Sequence, residues 1–148
     1  MQTNYRESFQ KYTAGLPVNE GVTESITKNA EDILQFGYGV VRGTNSSLDA
    51  RKPTGSGDEF IGIAGKVENE EGVYEEGMSA NVWTKGNIAV PVLSSEASGV
   101  DAGVTAYLVA SGTDAGKFST TSTDNIEVGK FTGRAENDIA PVKIDLSN

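Results

Sequence analysis

The chain has 148 residues, which is long enough for one domain to bury a hydrophobic core without disulfide or metal cross-links. It contains no cysteine and no histidine, which excludes disulfides, thiolate nucleophiles and cysteine zinc sites, removes the commonest general base, and so disfavours an enzyme. Its formal net charge of −9 disfavours nucleic acid as a partner, and the sequence predicts neither a membrane span nor a signal peptide.

The first 21 residues are predicted to form an arm, extended or partly helical, ahead of the folded domain. Its apolar side chains Tyr5, Phe9, Tyr12 and Leu16 are spaced by 4, 3 and 4, so a short amphipathic helix would place all four on one face. An extended arm would scatter them. Either the segment folds onto its own domain, or it reaches a neighbouring subunit, and the second alternative is preferred.

Residues 22–148 are predicted to form a single β domain. A short helix is possible over residues 22–34, although β-branched residues weaken that prediction. From Phe36 onward, short apolar runs alternate with clusters of Gly, Asn, Asp and Ser, which is typical of an all-β antiparallel barrel or sandwich. The predicted strands are residues 36–43, 60–67, 78–86, 87–93, 104–110, 117–121, 125–133 and 139–146.

The central pair of predicted strands contains the one tryptophan. A turn at residues 85–87 is predicted to join the pair into a hairpin, and Pro91 indicates an edge strand or a bulge. Alternation places Trp83 on the face opposite Ala80 and Val82. Trp83 is therefore an exposed binding platform, a contact with another subunit, or core packing beneath the arm.

Several motifs resemble ligand-binding motifs but lack the residues or the spacing that those sites require. In FGYGVVRG, residues 36–43, the third glycine is one residue too late for a dinucleotide-binding loop and no helix follows, so close backbone packing is the better interpretation. The glycine-rich residues 54–60 lack the G-K-[ST] of a phosphate loop. The acidic cluster lacks the spacing of a calcium loop, and no metal or other cofactor is predicted. Its members are Glu68, Glu70, Glu71, Glu75 and Glu76.

The order of these elements resembles the capsid cement (decoration) proteins of tailed phages. The resemblance covers some 110 residues and consists of short patterns in matching order. They are F-G-x-x-V-V-x-G at Phe36–Gly43, F-x-G-I-A at Phe60–Ala64, V-x-x-K-G-x-I-x-V at Val82–Val90, V-x-A-G-x-x-A-Y at Val100–Tyr107, I-x-V-G-K-F at Ile126–Phe131 and V-x-I-x-L at Val142–Leu146. The arm and residues 66–77 have no firm counterpart, which makes them the expected partner-contacting segments.

The resemblance implies a jelly-roll-like barrel that carries its arm outside. It implies a homotrimer without catalytic residues, made in the host cytoplasm, that binds the exterior of the phage capsid and bridges major capsid protein subunits. The predicted assembly interface comprises Tyr5, Phe9, Tyr12, Leu16 and Trp83. Two alternatives remain open. One is another virion part, such as a tail or baseplate adaptor, and the other is a carbohydrate-binding module with an aromatic strip of Trp83 and Tyr74 or Tyr107.

Overall fold

A computed structural model describes residues 12–18, 21–45, 47–69 and 71–146. Within these ranges the chain forms strands and one short 3₁₀ helix, Ser94–Gly99, so the all-β prediction is confirmed. In chain order the strands are β1 Glu24–Ala30, β2 Leu34–Gln35, β3 Gly39–Arg42, β4 Asp49–Arg51, β5 Phe60–Ala64, β6 Val73–Tyr74, β7 Ser79–Pro91, β8 Thr105–Leu108, β9 Phe118–Ser119, β10 Ile126–Phe131 and β11 Ile139–Asp145.

The main sheet closes into two barrel-like rings that share β7. Its strand order is β1-β4-β3-β5-β7-β11-β10-β8-β9, and β1 also pairs with β7, which closes the first five strands into a ring. At the other end of the sheet, a β-bridge joins Phe118 of β9 to Val92, the residue after β7, and this bridge closes the second ring. The pairing of β1 with β4 is parallel, so the sheet is not purely antiparallel. The jelly-roll likeness stays a prediction.

The predicted hairpin at residues 85–87 is wrong, because β7 runs unbroken through it. Its even-numbered side chains are buried from Ala80 to Val90, without the change of phase that a turn would cause. Gly86 adopts a φ of 135°, a conformation open to glycine, and the strand stays extended there. β1 pairs with residues 79–85 and β11 with residues 85–91. These long-range pairings override the local turn signal of Lys-Gly-Asn.

The helix considered for residues 22–34 is also absent, and β1 occupies its centre. Ile26 pairs with Val82 and Lys28 with Ala80 of β7. The β-branched residues that weakened the helix prediction suit this pleated, half-exposed position. Ala30 points into the first ring and is fully buried, whereas Ile26 remains 39% exposed.

Each ring has its own hydrophobic cluster. The interior of the first ring is narrow, and the alanines of four of its strands lie there under the larger side chains of Leu34 and Tyr74. The larger cluster fills the second ring with Phe118 and Phe131, and it also includes Val41, Phe60 and Ile63 from β3 and β5. The small residues of the first cluster are Ala30, Ala50, Ala64 and Ala80.

The glycines of residues 36–43 serve packing, as the sequence indicates. Gly37 has a φ of 87°, which favours glycine, and Gly39 is the first residue of β3. A Cβ on Gly39 would meet the side chains of Leu108 and Phe118, so this glycine lets β3 lie directly against the second ring. Among the described residues, the element that follows β3 is the strand β4.

The loop between β4 and β5 is closed by the carboxylate of Asp58. It accepts hydrogen bonds from Nη2 of Arg51 at 2.9 Å and from the backbone N–H groups of Thr54 at 2.7 Å and Gly55 at 3.1 Å. Chiefly because Arg51 donates to it, the pKa of Asp58 is lowered to about 2. Ionised Asp58 therefore stabilises the folded loop.

Replacing Asp58 with asparagine is expected to lower the free energy of unfolding at neutral pH by about 1 kcal/mol, after discounting for solvent screening. The folded pKa of about 2 lies below the ordinary value of 3.8. The stabilisation is therefore complete above about pH 4 and is lost as the pH falls toward 2. Urea unfolding of both proteins over this pH range measures the difference, which should shrink toward zero in acid.

The matched control is Asp114→Asn, which breaks a surface ion pair with Lys117 at 3.2 Å. That variant should lose less than about 0.5 kcal/mol. A gap between the wild type and Asp58→Asn that stays constant down to about pH 2 would contradict the assigned role.

Candidate assembly surfaces

Residues 12–18, here called the strip, contain a turn at Ala14–Gly15, and residues 15–18 then lie antiparallel along β7. The N–H of Gly15 donates to the carbonyl of Ala89 at 2.8 Å, the N–H of Ala89 to Leu16 at 3.0 Å, and the N–H of Val18 to Asn87 at 2.9 Å. Lys66 N–H donates to the Gly15 carbonyl at 3.0 Å. This part of the predicted arm therefore packs on its own domain.

The predicted interface residues of the arm fall in different environments. Tyr12 is buried, with 6% of its surface exposed, and Leu16 is 37% exposed. Tyr5 and Phe9 lie outside the described residues. A fixed strip with one buried aromatic gives any segment that precedes it a firm anchor. The role of all four residues in assembly stays a prediction.

Trp83 lies beneath the strip. Its indole N–H donates to the carbonyl of Gly15 at 2.8 Å, and its ring packs against the larger hydrophobic cluster. Of the three environments considered from the sequence, the structure shows packing beneath the arm, in a half-buried position. Its role in the predicted interface stays a prediction.

The aromatic strip expected of a carbohydrate-binding module does not form around Trp83 and Tyr74. Tyr74 is 1% exposed, and its hydroxyl donates to the carbonyl of Gly65 at 2.6 Å and accepts from the N–H of Asn81 at 3.2 Å. Burial raises the pKa of this phenol. Tyr107 lies on β8, in the second ring.

Residues 66–69 and 71–77 form an acidic segment that contains β6 and is tied to the domain by the hydroxyl of Tyr74. Asn69 shapes its turn, accepting from the N–H of Gly72 at 2.7 Å and donating to the carbonyl of Val73 at 3.0 Å. Lys66 lies over the ring of Phe36, with Nζ 5.5 Å from the centroid. The four glutamates that the structure describes here are exposed: Glu68, Glu71, Glu75 and Glu76.

Two kinds of feature are absent from the described part of the chain. No group of three or more acidic residues there is placed to hold a metal ion. Among the same residues, no helix has the length and hydropathy needed to cross a bilayer.

A groove that sequence reasoning missed opens at the mouth of the first ring. β4 covers only three residues, so beyond it β1 and β3 separate and leave an open groove of about 770 Å³. The side chains of Glu24, Ile26 and Lys28 form one wall. The rest of the lining comes from Arg42, Glu59, Phe60, Ile61, Thr84, Asp145 and Leu146.

An exposed ion pair forms the rim of this groove opposite β1. Arg42 donates from Nε to Glu59 at 2.9 Å and from Nη2 to its second oxygen at 2.6 Å. These hydrogen bonds lower the pKa of Glu59 and raise the pKa of Arg42. The groove therefore combines a few apolar side chains, Ile26, Phe60 and Leu146, with a mainly polar and charged lining.

The family model described as structural cement protein (E217 gp24/Pam3 gp6) matches residues 1–145 of the chain. The chain belongs to this family of phage cement proteins. The match spans nearly the whole of this chain, including the arm, the strip and both rings. The resemblance that the sequence indicated is thereby confirmed.

The fold of this cement protein recurs in a solved structure, "The capsid of Myoviridae Phage XM1". The superposed chain has a TM-score of 0.81 and 18% sequence identity, with 94% of this chain and 93% of that chain covered. At this identity the likeness establishes the shared fold. No curated protein matches the chain.

Proposed function

We propose that this cement protein binds the outer surface of the assembled phage capsid as a homotrimer and bridges neighbouring major capsid protein subunits. The observation that carries the proposal is the family match over residues 1–145, which includes both the arm and the β domain. The proposed role is structural, with no catalytic step and no cofactor. The protein would be made in the host cytoplasm and end on the virion exterior.

The physical reason for such a protein is linkage. A molecule that binds the assembled lattice and not free subunits stabilises the lattice by mass action. A trimer engages several lattice sites at once, so weak single contacts add up through high effective concentration. The net charge of −9 suits a protein that must stay soluble until it binds.

Two features of the structure support this role: a β domain with two hydrophobic clusters, and a strip bound to that domain. The strip is fixed to β7 by backbone hydrogen bonds and lies over Trp83. Residues 1–11, which contain Tyr5 and Phe9, precede this anchor in the sequence and are the part of the arm proposed to reach a neighbouring subunit. Buried aromatic anchors are the usual centres of binding energy at protein interfaces.

Removing residues 1–11 while keeping the strip is expected to weaken capsid binding by at least about tenfold, the effect of losing one or two aromatic anchors. Co-sedimentation with capsids that lack the cement protein measures the binding. The truncated protein should remain folded by circular dichroism, because the strip and its hydrogen bonds to β7 remain.

The full-length protein and a Tyr5→Ser, Phe9→Ser double variant serve as comparisons. If the full-length protein does not bind capsids, the capsid role is wrong. If the full-length protein binds capsids and the truncated protein binds them equally well, the role of the arm is wrong and the capsid role stands. Electron microscopy of labelled particles distinguishes the shell exterior from a tail or baseplate position.

A further inference from the structure

β1 presents an unpaired backbone edge beside the groove. The N–H of Asn29 donates to the carbonyl of Leu48 at 2.7 Å, so the backbone groups of Asn29 point away from β7 and toward β4. Hydrogen-bonding direction alternates along a strand, so the backbone groups of Thr27 and Ser25 point the same way. The pairing of β1 with β4 covers only Asn29 and Ala30. Among the described residues, no strand pairs with this edge over Ser25–Lys28.

The side chains next to this edge favour an amphipathic strand. Ile26 is 39% exposed at the groove, and Phe60 and Leu146 lie behind it. Glu24 and Lys28 flank Ile26 on the same face of β1. A strand placed along the edge would continue the short β4 across the open mouth of the ring. Exposed edges of this kind are templates for strand addition.

We propose that residues 1–11 of a neighbouring copy add to this edge of β1 as a strand. In an extended segment, Tyr5 and Phe9 lie on one face because they are four residues apart. That face can cover Ile26, Phe60 and Leu146. The proposal supplies the subunit contact of the homo-oligomer, and it rests on the homo-oligomer in the proposed function.

Charge supports the same occupant. Residues 1–11 contain Arg6 and Lys11 against one acidic residue, Glu7, whereas the whole chain has a net charge of −9. The amino terminus adds a further positive charge. A basic segment is therefore attracted to the acidic body of another copy, and Glu24 lies within the groove.

The direction of the strip favours a neighbouring copy over the same chain. From Gly15 to Val18 the strip runs antiparallel to β7, from Ala89 back to Asn87. Tyr12 and Gly15 both lie beside Ala89, toward the end of β7 away from the groove. Ala89 and Val82 are about 23 Å apart along the strand. Eleven extended residues span at most about 40 Å, so a chain that turned back would use more than half its length before reaching β1.

Cysteine cross-linking tests the contact in purified protein, without capsids. The chain has no cysteine, so every introduced thiol is unique. With Tyr5 and Phe9 facing the groove, the outward residues Arg6, Ser8 and Gln10 lie on the same side as Thr27. Each of Arg6→Cys, Ser8→Cys and Gln10→Cys is mixed with Thr27→Cys under mild oxidation. At least one pair should give a disulfide-linked dimer on a non-reducing gel. Ser56→Cys, in an exposed loop, is the control partner and should give none above background.

A backbone variant tests the edge itself. Thr27→Pro removes an N–H that points away from β7, and Thr27→Ala keeps it. Light scattering should show that Thr27→Pro and the protein lacking residues 1–11 are monomers, while Thr27→Ala keeps the wild-type oligomer. Circular dichroism checks that each variant is folded.

The outcomes separate the possible occupants of the groove. Absence of any cross-link together with an unchanged oligomer in the truncated protein overturns the proposal. Cross-links confined within single chains, seen with the double-cysteine variants, overturn its intermolecular form. Protection of Thr27→Cys from alkylation only when capsids are added indicates a capsid protein segment instead. None of these results bears on whether the full-length protein binds capsids.

Discussion

Replacing Gly62 with alanine is expected to lower the free energy of unfolding by about 2–4 kcal/mol, since it combines backbone strain with overpacking. Gly62 lies in the middle of β5 with a φ of 149°, a conformation that side chains rarely adopt. A Cβ there would meet the backbone carbonyl oxygen of Trp83 and the side chain of Val82. Both belong to β7, so relief would require the two strands to separate.

Gly57→Ala is the matched control for this variant. Gly57 lies in the loop between β4 and β5, and a Cβ added to it would meet nothing within 4 Å. Its replacement should change stability by less than about 0.5 kcal/mol. Urea unfolding followed by tryptophan fluorescence measures both variants. Equal midpoints for the two would show that β5 and β7 are not in the close contact described.

Replacing Trp83 with alanine is expected to cost about 2–3 kcal/mol, somewhat less than a fully buried tryptophan because the side chain is half-buried. The variant loses the packing of the ring against the larger cluster and the hydrogen bond to Gly15. The strip then loses the indole ring on which it packs. Trp83→Phe keeps most of the packing and should cost about 1 kcal/mol, the net value of one hydrogen bond.

Amide hydrogen exchange distinguishes this role from that of an exposed platform. If Trp83 holds the strip, the N–H groups of Gly15 and Val18 should exchange faster in Trp83→Ala, while those in the middle of β11 should be less affected. If Trp83 is instead an exposed binding platform, Trp83→Ala should bind capsids more weakly while its stability and amide exchange stay unchanged. Measuring unfolding, exchange and capsid binding on the same variants separates the two roles.

The strand pattern could be predicted from the sequence wherever apolar residues alternate between turn signals. The last strand is the clearest case, since Ala140, Val142 and Ile144 are buried in β11 as their alternation requires. The pattern failed at residues 85–87, where Lys-Gly-Asn has the local signature of a turn. Pairing with β1 and β11 decides that region, and a local signal contains no information about such distant partners.

The candidate surfaces were less predictable than the fold. The aromatic spacing in the arm identified Tyr12, yet the burial of this residue depends on strand-like pairing between the strip and β7. The groove had no sequence signal at all. It exists because β4 stops after three residues, and only the closed ring shows that this leaves an edge of β1 uncovered.

The strand β7 belongs to both rings, and this sharing has a mechanical consequence. A load that enters through the strip is applied along β7, parallel to the strands paired with it on either side. Its hydrogen bonds are then strained together, whereas peeling from an edge would break them one at a time. Both hydrophobic clusters resist the same displacement, because each is built on residues of this strand. A load applied to the strip is therefore shared between the two halves of the domain through β7.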